Sequence, residues 1–202
     1  VANGDDPAAA LFLDTARGCR KVPFTLTHAA PYRISRDQTT LTLWDESVST
    51  PLRGTFNIAN ILAAAFLADA LRVPRPVIRT AVSEFAGIPG RVEEVRAGQP
   101  FSVIVDYAHT TDSLREVYSF LEETGDRESA LICVLGATGG GRDKWKRPEM
   151  GTVAARYCDH IILTNEDPYD EDPEKIITDM ETGVLDHPRY RAHRTHPGAT
   201  EQ

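Results

Sequence analysis

Three short, unbroken apolar runs constrain the second half of the chain more than any other feature: F-S-V-I-V-D-Y (101–107), A-L-I-C-V-L-G (130–136) and H-I-I-L-T (160–164). Runs of this length without polar alternation suit strands buried on both faces, as in a parallel sheet. Helical patterns separate and follow them: Asp112–Glu123, with Asp112 placed to cap; Pro148–Tyr157; and Pro173–Gly183, with proline in its first turn and glycine at its end. Alternation of strands and helices on this scale predicts an α/β fold, a mostly parallel Rossmann-like sheet flanked by helices. In such sheets ligands gather beyond the carboxyl ends of the strands. Each run here exits into polar residues: Asp106 and His109, then Gly136 to Lys144, then Thr164 to Asp167.

The first part of the chain differs in character. Residues 1–53 are rich in Thr, Ser, Arg and Pro, and two stretches read as strands, Val22 to Thr27 and Thr39 to Trp44. The second alternates polar and apolar residues, as a half-buried antiparallel strand does. Asp5-Asp6-Pro7 reads as a turn into a short helix over Ala8–Leu13. No strand–helix core closes within this stretch, so it reads as the tail of a domain that begins earlier. From Gly54 the pattern changes: Phe56 to Leu71 is an Ala- and Leu-rich helix, and Pro76 opens a second helix to about Phe85. The expected organisation is an incomplete domain over 1–53, an α/β domain over 54–185 whose helix 54–72 packs on the preceding domain, and an exposed tail over 186–202.

Composition limits the function. The 202 residues carry 22 Lys and Arg against 30 Asp and Glu, a net charge of −8, which argues against broad nucleic-acid binding. No apolar run reaches the roughly 20 residues of a membrane span, and no secretory signal opens the chain. Three cysteines (Cys19, Cys133, Cys158) stand far apart without C-x-x-C spacing, as reduced, buried thiols of a cytoplasmic protein do. His187, His193 and His196 lie in the tail with nothing to orient them as metal ligands.

The strand exits carry the candidate chemistry. In V-D-Y-A-H-T-T-D-S-L (105–114), Asp106 can bind a ribose hydroxyl pair and His109 can stack on a base or bond a phosphate; a plain strand–loop–helix turn is the other reading. In L-G-A-T-G-G-G-R-D-K-W-K-R-P (135–148), glycines allow close backbone approach, and Arg142, Lys144, Lys146 and Arg147 concentrate positive charge beside Asp143. That suits an anionic ligand such as a carboxylate or phosphate. The loop is neither a Walker A nor a G-x-G-x-x-G motif. In T-N-E-D-P-Y-D-E-D-P (164–173), the carboxylates can recognise an amine or cation, or complement a helix start.

Taken in order, six segments resemble the Mur ligases, most closely the MurE type, the UDP-N-acetylmuramoyl-tripeptide synthetases. They are N-G-D-D-P (3–7), G-T-F-N-I-A-N-I-L-A-A (54–64), I-P-G-R-V-E (88–93), V-D-Y-A-H-T-T-D (105–112), G-G-R-D-K-W-K-R-P-E-M-G (140–151) and N-E-D-P-Y-D-E-D-P (165–173). The resemblance runs to about residue 183 and implies a cytoplasmic, ATP- and Mg2+-dependent ligase of peptidoglycan precursor synthesis. Such an enzyme phosphorylates the carboxylate of UDP-N-acetylmuramoyl-L-alanyl-D-glutamate, and a diamino acid, meso-diaminopimelate or L-lysine, attacks the acyl phosphate. The implied ATP-binding residues are Asn60 on the adenine side, Arg91 at the phosphates, Asp106 at the ribose and His109 against the nucleotide. Arg142 would hold the carboxylate of the incoming amino acid. Asp143, Lys144, Lys146 and Arg147 would support its loop.

One departure bears on the acceptor. Asp167 and Tyr169 stand where diaminopimelate-adding members have the Asn and Arg of D-N-P-R. Tyrosine does not replace a bidentate guanidinium, whereas Glu166 and Asp167 suit a distal ammonium. T-T-D in place of T-P-D is a milder change. The family's P-loop, magnesium ligands, carbamylated lysine and UDP-binding domain would precede this chain, and its G-K-G-H-E segment would follow residue 183. The expectation is a fragment holding no catalytic residue and no metal ligand, inactive alone, with small-molecule substrates as partners, no nucleic acid and no membrane insertion. Two readings compete: a non-catalytic nucleotide- or partner-binding relic, and another ligase of the superfamily, such as one resembling folylpolyglutamate synthase.

Overall fold

The computed structural model describes residues 1–190 apart from Arg127 and Arg142. It divides into two compact units, Val1–Tyr107 and Ala108 onward, so the boundary expected at residue 54 falls inside the first.

The first unit opens with β1 (Ala2–Asn3), α1 (Ala9–Thr15) and β2 (Pro23–Phe24), with β1 and β2 parallel. Asp6 turns the chain into α1 as its Oδ1 accepts from the Ala8 amide at 2.7 Å. The strand expected over 22–27 stops at Phe24 because Thr25 and His28 cap each other around a single 3-10 turn, Leu26–Ala29. Next come β3 (Arg33–Ile34), β4 (Thr39–Leu43) and β5 (Glu46–Thr50), an antiparallel meander. Trp44 and Asp45, both at positive φ, form the two-residue β4–β5 turn whose twist matches the strands; Trp44 therefore leaves the strand it was expected to end. On β4 the alternation holds, and Thr39, Leu41 and Leu43 are buried.

Helix α2 (Thr55–Ala70) then buries Ile58, Ile61, Leu62 and Ala65 against Phe24, Ala29, Leu41, Leu43 and Val48. Residues 1–53 thus find their core in the helix that follows them. Helix α3 (Arg75–Glu84) adds Ile78, and a hairpin of β6 (Glu93–Val95) and β7 (Val103–Val105) ends the unit.

The second unit runs α4 (Thr111–Thr124), β8 (Ile132–Leu135), α5 (Lys146–Tyr157), β9 (His160–Leu163) and α6 (Pro173–Asp186). β8 and β9 pair in parallel, Ile132 opposite His160 and Leu135 opposite Leu163. All three helices contribute to the cluster that buries Cys133 and Leu135. Ile132 and Val134 on the other face are 59% and 68% exposed.

The α/β class therefore holds with mixed sheets. The run at 101–107 does not join a three-stranded parallel sheet: its strand, β7, pairs antiparallel with Glu93–Val95 in the first unit. Asp112 is not the cap of α4. Thr110 is, its Oγ1 accepting from the Ser113 amide at 3.2 Å, and Asp112 sits in the first turn, paired with Arg115 at 2.7 Å. Cys133 and Cys158 are buried, but Cys19 is exposed, since the segment around it joins neither core cluster.

Gly183 does not end α6, which continues to Asp186. It lies where α6 crosses α5, and a Cβ there would stand 1.7 Å from the Pro148 carbonyl oxygen. Gly151 is its counterpart: a Cβ would stand 2.1 Å from the Met180 carbonyl oxygen. Neither clash falls on a flexible side-chain end, so the helices would have to separate. We expect Gly183→Ala to destabilise the chain by about 2–3 kcal/mol in urea unfolding; a loss below about 0.5 kcal/mol, the range of an ordinary surface change, would contradict the crossing.

Candidate functional site

Two sets of sequence-nominated residues fall in separate units. In the first unit, I-P-G-R-V folds as a turn because Pro89 fixes its own φ and Gly90 takes a φ of 71°. The turn is tied to the end of β7: the Val92 amide donates to Asp106 Oδ2 at 2.8 Å, and the Arg91 guanidinium lies 4.8 Å over the Tyr107 ring. Arg53 secures it from the other side, donating to the Val92 carbonyl at 3.0 Å. Asn57 Nδ2 donates to the Arg53 carbonyl at 2.7 Å, and Asn60 Nδ2 to Asn57 Oδ1 at 3.4 Å. Asn60 and Asp106, far apart in sequence, are thus joined by one hydrogen-bonded path through Asn57, Arg53 and Val92, the residue next to Arg91.

Beside this path lies a cavity of ≈ 420 Å³ lined in part by Arg53, Asn57, Ile88, Arg91, Glu93 and Arg96. Three guanidiniums, of Arg53, Arg91 and Arg96, and three carboxylates, of Asp37, Glu93 and Glu94, line it; the hydrogen bond from Arg96 holds the Glu94 carboxyl below its usual range. Arg53 and Arg96 pair with Glu94, and Arg91, held over the Tyr107 ring, can meet an anionic group. Arg53 and Asn57 were not nominated from the sequence. Asn57 precedes Asn60 by three residues, one helical turn, and that spacing was the available signal.

In the second unit, His109 is exposed on the segment leading into α4. The glycine loop after β8 and the acidic loop after β9 pack directly on each other. The Gly139 amide donates to the Asp167 carbonyl at 3.0 Å, and a Cβ on Gly139 would lie 2.0 Å from the Pro168 carbonyl oxygen. A Cβ on Gly136 would lie 2.7 Å from the Glu166 Cβ. These glycines serve the approach of one loop to another.

Arg147 lies at the base of both loops, its side chain 1% exposed. Its guanidinium donates to both Glu171 oxygens at 3.1 Å, to Asp179 Oδ2 at 3.0 Å and to the Thr138 carbonyl at 3.3 Å. Glu171 also accepts from the Gly141 amide at 2.7 Å and pairs with Lys144 at 2.9 Å. Among the described cations of this segment, Lys144 and Arg147 are therefore engaged within the protein. Glu171 was passed over in the sequence because nothing in its spacing separates it from Asp170 and Asp172.

Glu166, Asp167 and Tyr169 are exposed at the rim, Tyr169 by 72%. Asp167 and Tyr169 take φ of 35° and 51°, a region that costs a non-glycine residue energy and persists where neighbours enforce it. Asp143 is exposed at φ 50°, its carbonyl accepting from the Lys146 amide at 3.1 Å, and Lys146 starts α5. Arg142, nominated for a carboxylate, lies outside the described residues, as do His193 and His196. Among the described residues, no group of three or more His, Cys, Asp and Glu can hold a metal ion, and no helix is long and apolar enough to cross a membrane.

Hydrogen bonds from Arg147, Lys144 and the Gly141 amide bring the Glu171 carboxyl down to about 2 from an ordinary 4.5. The unfolded chain then binds this proton first, so the stabilisation is complete above pH 4.5 and is lost as pH falls toward 2. We expect the urea midpoint to fall across that window, and Glu171→Gln to remove part of the dependence. Identical profiles for both proteins would contradict it.

The family model described as Mur ligase, glutamate ligase domain, matches residues 90–202. The UDP-N-acetylmuramoyl-L-alanyl-D-glutamate–2,6-diaminopimelate ligase of Bacillus velezensis is 38% identical over 201 residues, covering 91% of this chain and 39% of that protein. Its counterpart in Thermosynechococcus vestitus is 41% identical over 144 residues, covering 68% and 28%. A solved structure of a ligase of the same name superposes with a TM-score of 0.51 at 31% identity, over 90% of this chain and 39% of that one. The chain spans well under half the length of these relatives. Because the family model covers more than half of its residues, the chain belongs to the Mur ligase family.

Proposed function

We propose that this chain forms the last part of the central domain and most of the C-terminal domain of an ATP-dependent ligase that adds a diamino acid to UDP-N-acetylmuramoyl-L-alanyl-D-glutamate. The observation that carries this reading is the 38% identity along 201 residues to a protein named for that reaction. The path joining Asn60 to Asp106, beside a cavity that Arg91 lines, supports it.

In this reading ATP phosphorylates the substrate carboxylate, the amine of the acceptor attacks the acyl carbon, and phosphate leaves as the amide forms. The described residues contribute binding and orientation. Arg91 meets the phosphates, Asp106 the ribose, Asn60 the adenine side, and His109 lies against the nucleotide. Arg142 takes the acceptor's α-carboxylate on the loop supported by Asp143, Lys144, Lys146 and Arg147. Glu166, Asp167 and Tyr169 face its distal end, where the carboxylates suit the ammonium of L-lysine or meso-diaminopimelate. Mg2+ belongs to the proposed reaction, but the described residues do not form a site for it, so its ligands would come from the rest of the enzyme. The work of such an enzyme lies in the cytoplasm, where nucleotide precursors and ATP are found.

Asp106 has two tasks in this scheme, holding the 88–92 turn and reading the ribose. In the full-length enzyme we expect ADP release that requires the muramoyl dipeptide and a diamino acid. Asp106→Ala should raise the KM for ATP about tenfold, about 1.4 kcal/mol of binding, with the acceptor KM unchanged. Absence of acceptor-dependent ADP release in the wild type, or an equal rise in both KM values, would contradict the proposal.

A further inference from the structure

The 88–92 turn holds one residue in a conformation that its type disfavours. Val92 is buried, β-branched and at a φ of 49°. A valine in the left-handed region is strained, because its branched side chain crowds the backbone, and it stays there only where its surroundings enforce it. Both backbone polar groups of Val92 are held by side chains. Its amide donates to Asp106 Oδ2 at 2.8 Å, and its carbonyl accepts from Arg53 Nη2 at 3.0 Å. Asp106 follows β7 and Arg53 precedes the Gly54 cap of α2, so the turn is clamped between two elements distant in sequence.

Arg53 is itself anchored. Its side chain is 11% exposed, and Nη1 donates to the Arg36 carbonyl at 2.9 Å and pairs with Glu94 at 3.5 Å. The planar fork lets one nitrogen hold Val92 while the other holds Arg36 and Glu94. Arg91, by contrast, is exposed, with its guanidinium over the Tyr107 ring. Rotation about the N–Cα bond of Val92 would turn the chain before it, Arg91 included, relative to β6.

We propose that Arg53 is a positioning residue for the nucleotide: by holding the Val92 carbonyl it keeps Val92 left-handed and so aims Arg91 at the anionic end of the ligand. The inference rests on the ligase reading, in which Arg91 meets the ATP phosphates. Arg53 acts through the backbone and touches no reacting atom. Asp106 does not suffice for this task, because in the same scheme its carboxylate also bonds the ribose. Arg53 is the hold on the turn that nucleotide binding leaves untouched.

The test is steady-state kinetics of the full-length enzyme carrying Arg53→Met, which keeps an unbranched stem and removes the donors, and Arg53→Lys, which restores one cationic donor. In Arg53→Met we expect the KM for ATP to rise at least about tenfold, with kcat within about twofold and the KM values of the muramoyl dipeptide and the diamino acid unchanged. Arg53→Lys, with a point charge in place of the fork, should raise the ATP KM about two- to fourfold. A merely structural Arg53 gives another pattern: a smaller folded fraction lowers the apparent kcat and leaves every KM alone. That pattern, an equal rise in all three KM values, or a lysine variant whose ATP KM is unchanged or as high as that of the methionine variant would overturn the proposal. The lysine variant decides even if the methionine variant fails to fold. A wild type that releases no ADP in response to a diamino acid would overturn the ligase reading and this inference with it. A working wild type with an unchanged ATP KM in both variants would overturn this inference alone.

Discussion

A guanidinium that is 1% exposed must find acceptors for its N–H groups or destabilise the fold that buries it. Arg147 meets this demand by reaching three separate segments: the Thr138 carbonyl on the glycine loop, Glu171 on the acidic loop and Asp179 on α6. Glu171 extends the same joint to the Gly141 amide and Lys144. Two loops that leave neighbouring parallel strands are thereby made one surface. Removing Glu171 would leave the buried Arg147 with Asp179 as its one remaining carboxylate among these contacts. Removing Arg147 would leave Glu171 with Lys144 and the Gly141 amide, so the two loops would lose the contact that joins them to α6.

Close backbone approach completes what the ion pair begins. Gly139 lets the glycine loop lie on Pro168, and Gly136 makes room for Glu166. With the backbones in contact, the side chains of Asp167 and Tyr169 point outward from left-handed positions that an isolated loop would not hold. The rim nominated for the acceptor's distal end is thus fixed from beneath. In the first unit, a network centred on Arg53 does the comparable task for the 88–92 turn.

Much of the fold is written in local sequence. The helices at 55–70, 75–84, 111–124, 146–157 and 173–186 and the strands at 39–43, 132–135 and 160–163 match the periodicity that predicts them, with ends shifted by a few residues. What sequence hides is pairing and direction. A run such as V-I-V has the same composition whether its neighbour is parallel or antiparallel, so the partner of β7 was unreadable. Thr110 and Asp112 both cap helices well, and only the backbone decides between them. Gly183 signals a helix end or a helix crossing with the same letter. Family motifs named Asn60, Arg91 and Asp106 as a set, but the residue through which Asn60 connects to Asp106, Arg53, carries no motif of its own.

The loop joint is tested most directly by amide exchange at Gly139 and Gly141. If the Arg147–Glu171 pair fixes the two loops, both amides exchange slowly in the wild type. In Glu171→Gln the Gly141 amide then loses at least about tenfold in protection while the β8 and β9 amides keep theirs. Fast exchange of Gly141 in the wild type, at the rate of an open loop, would show that the loops are not held this way.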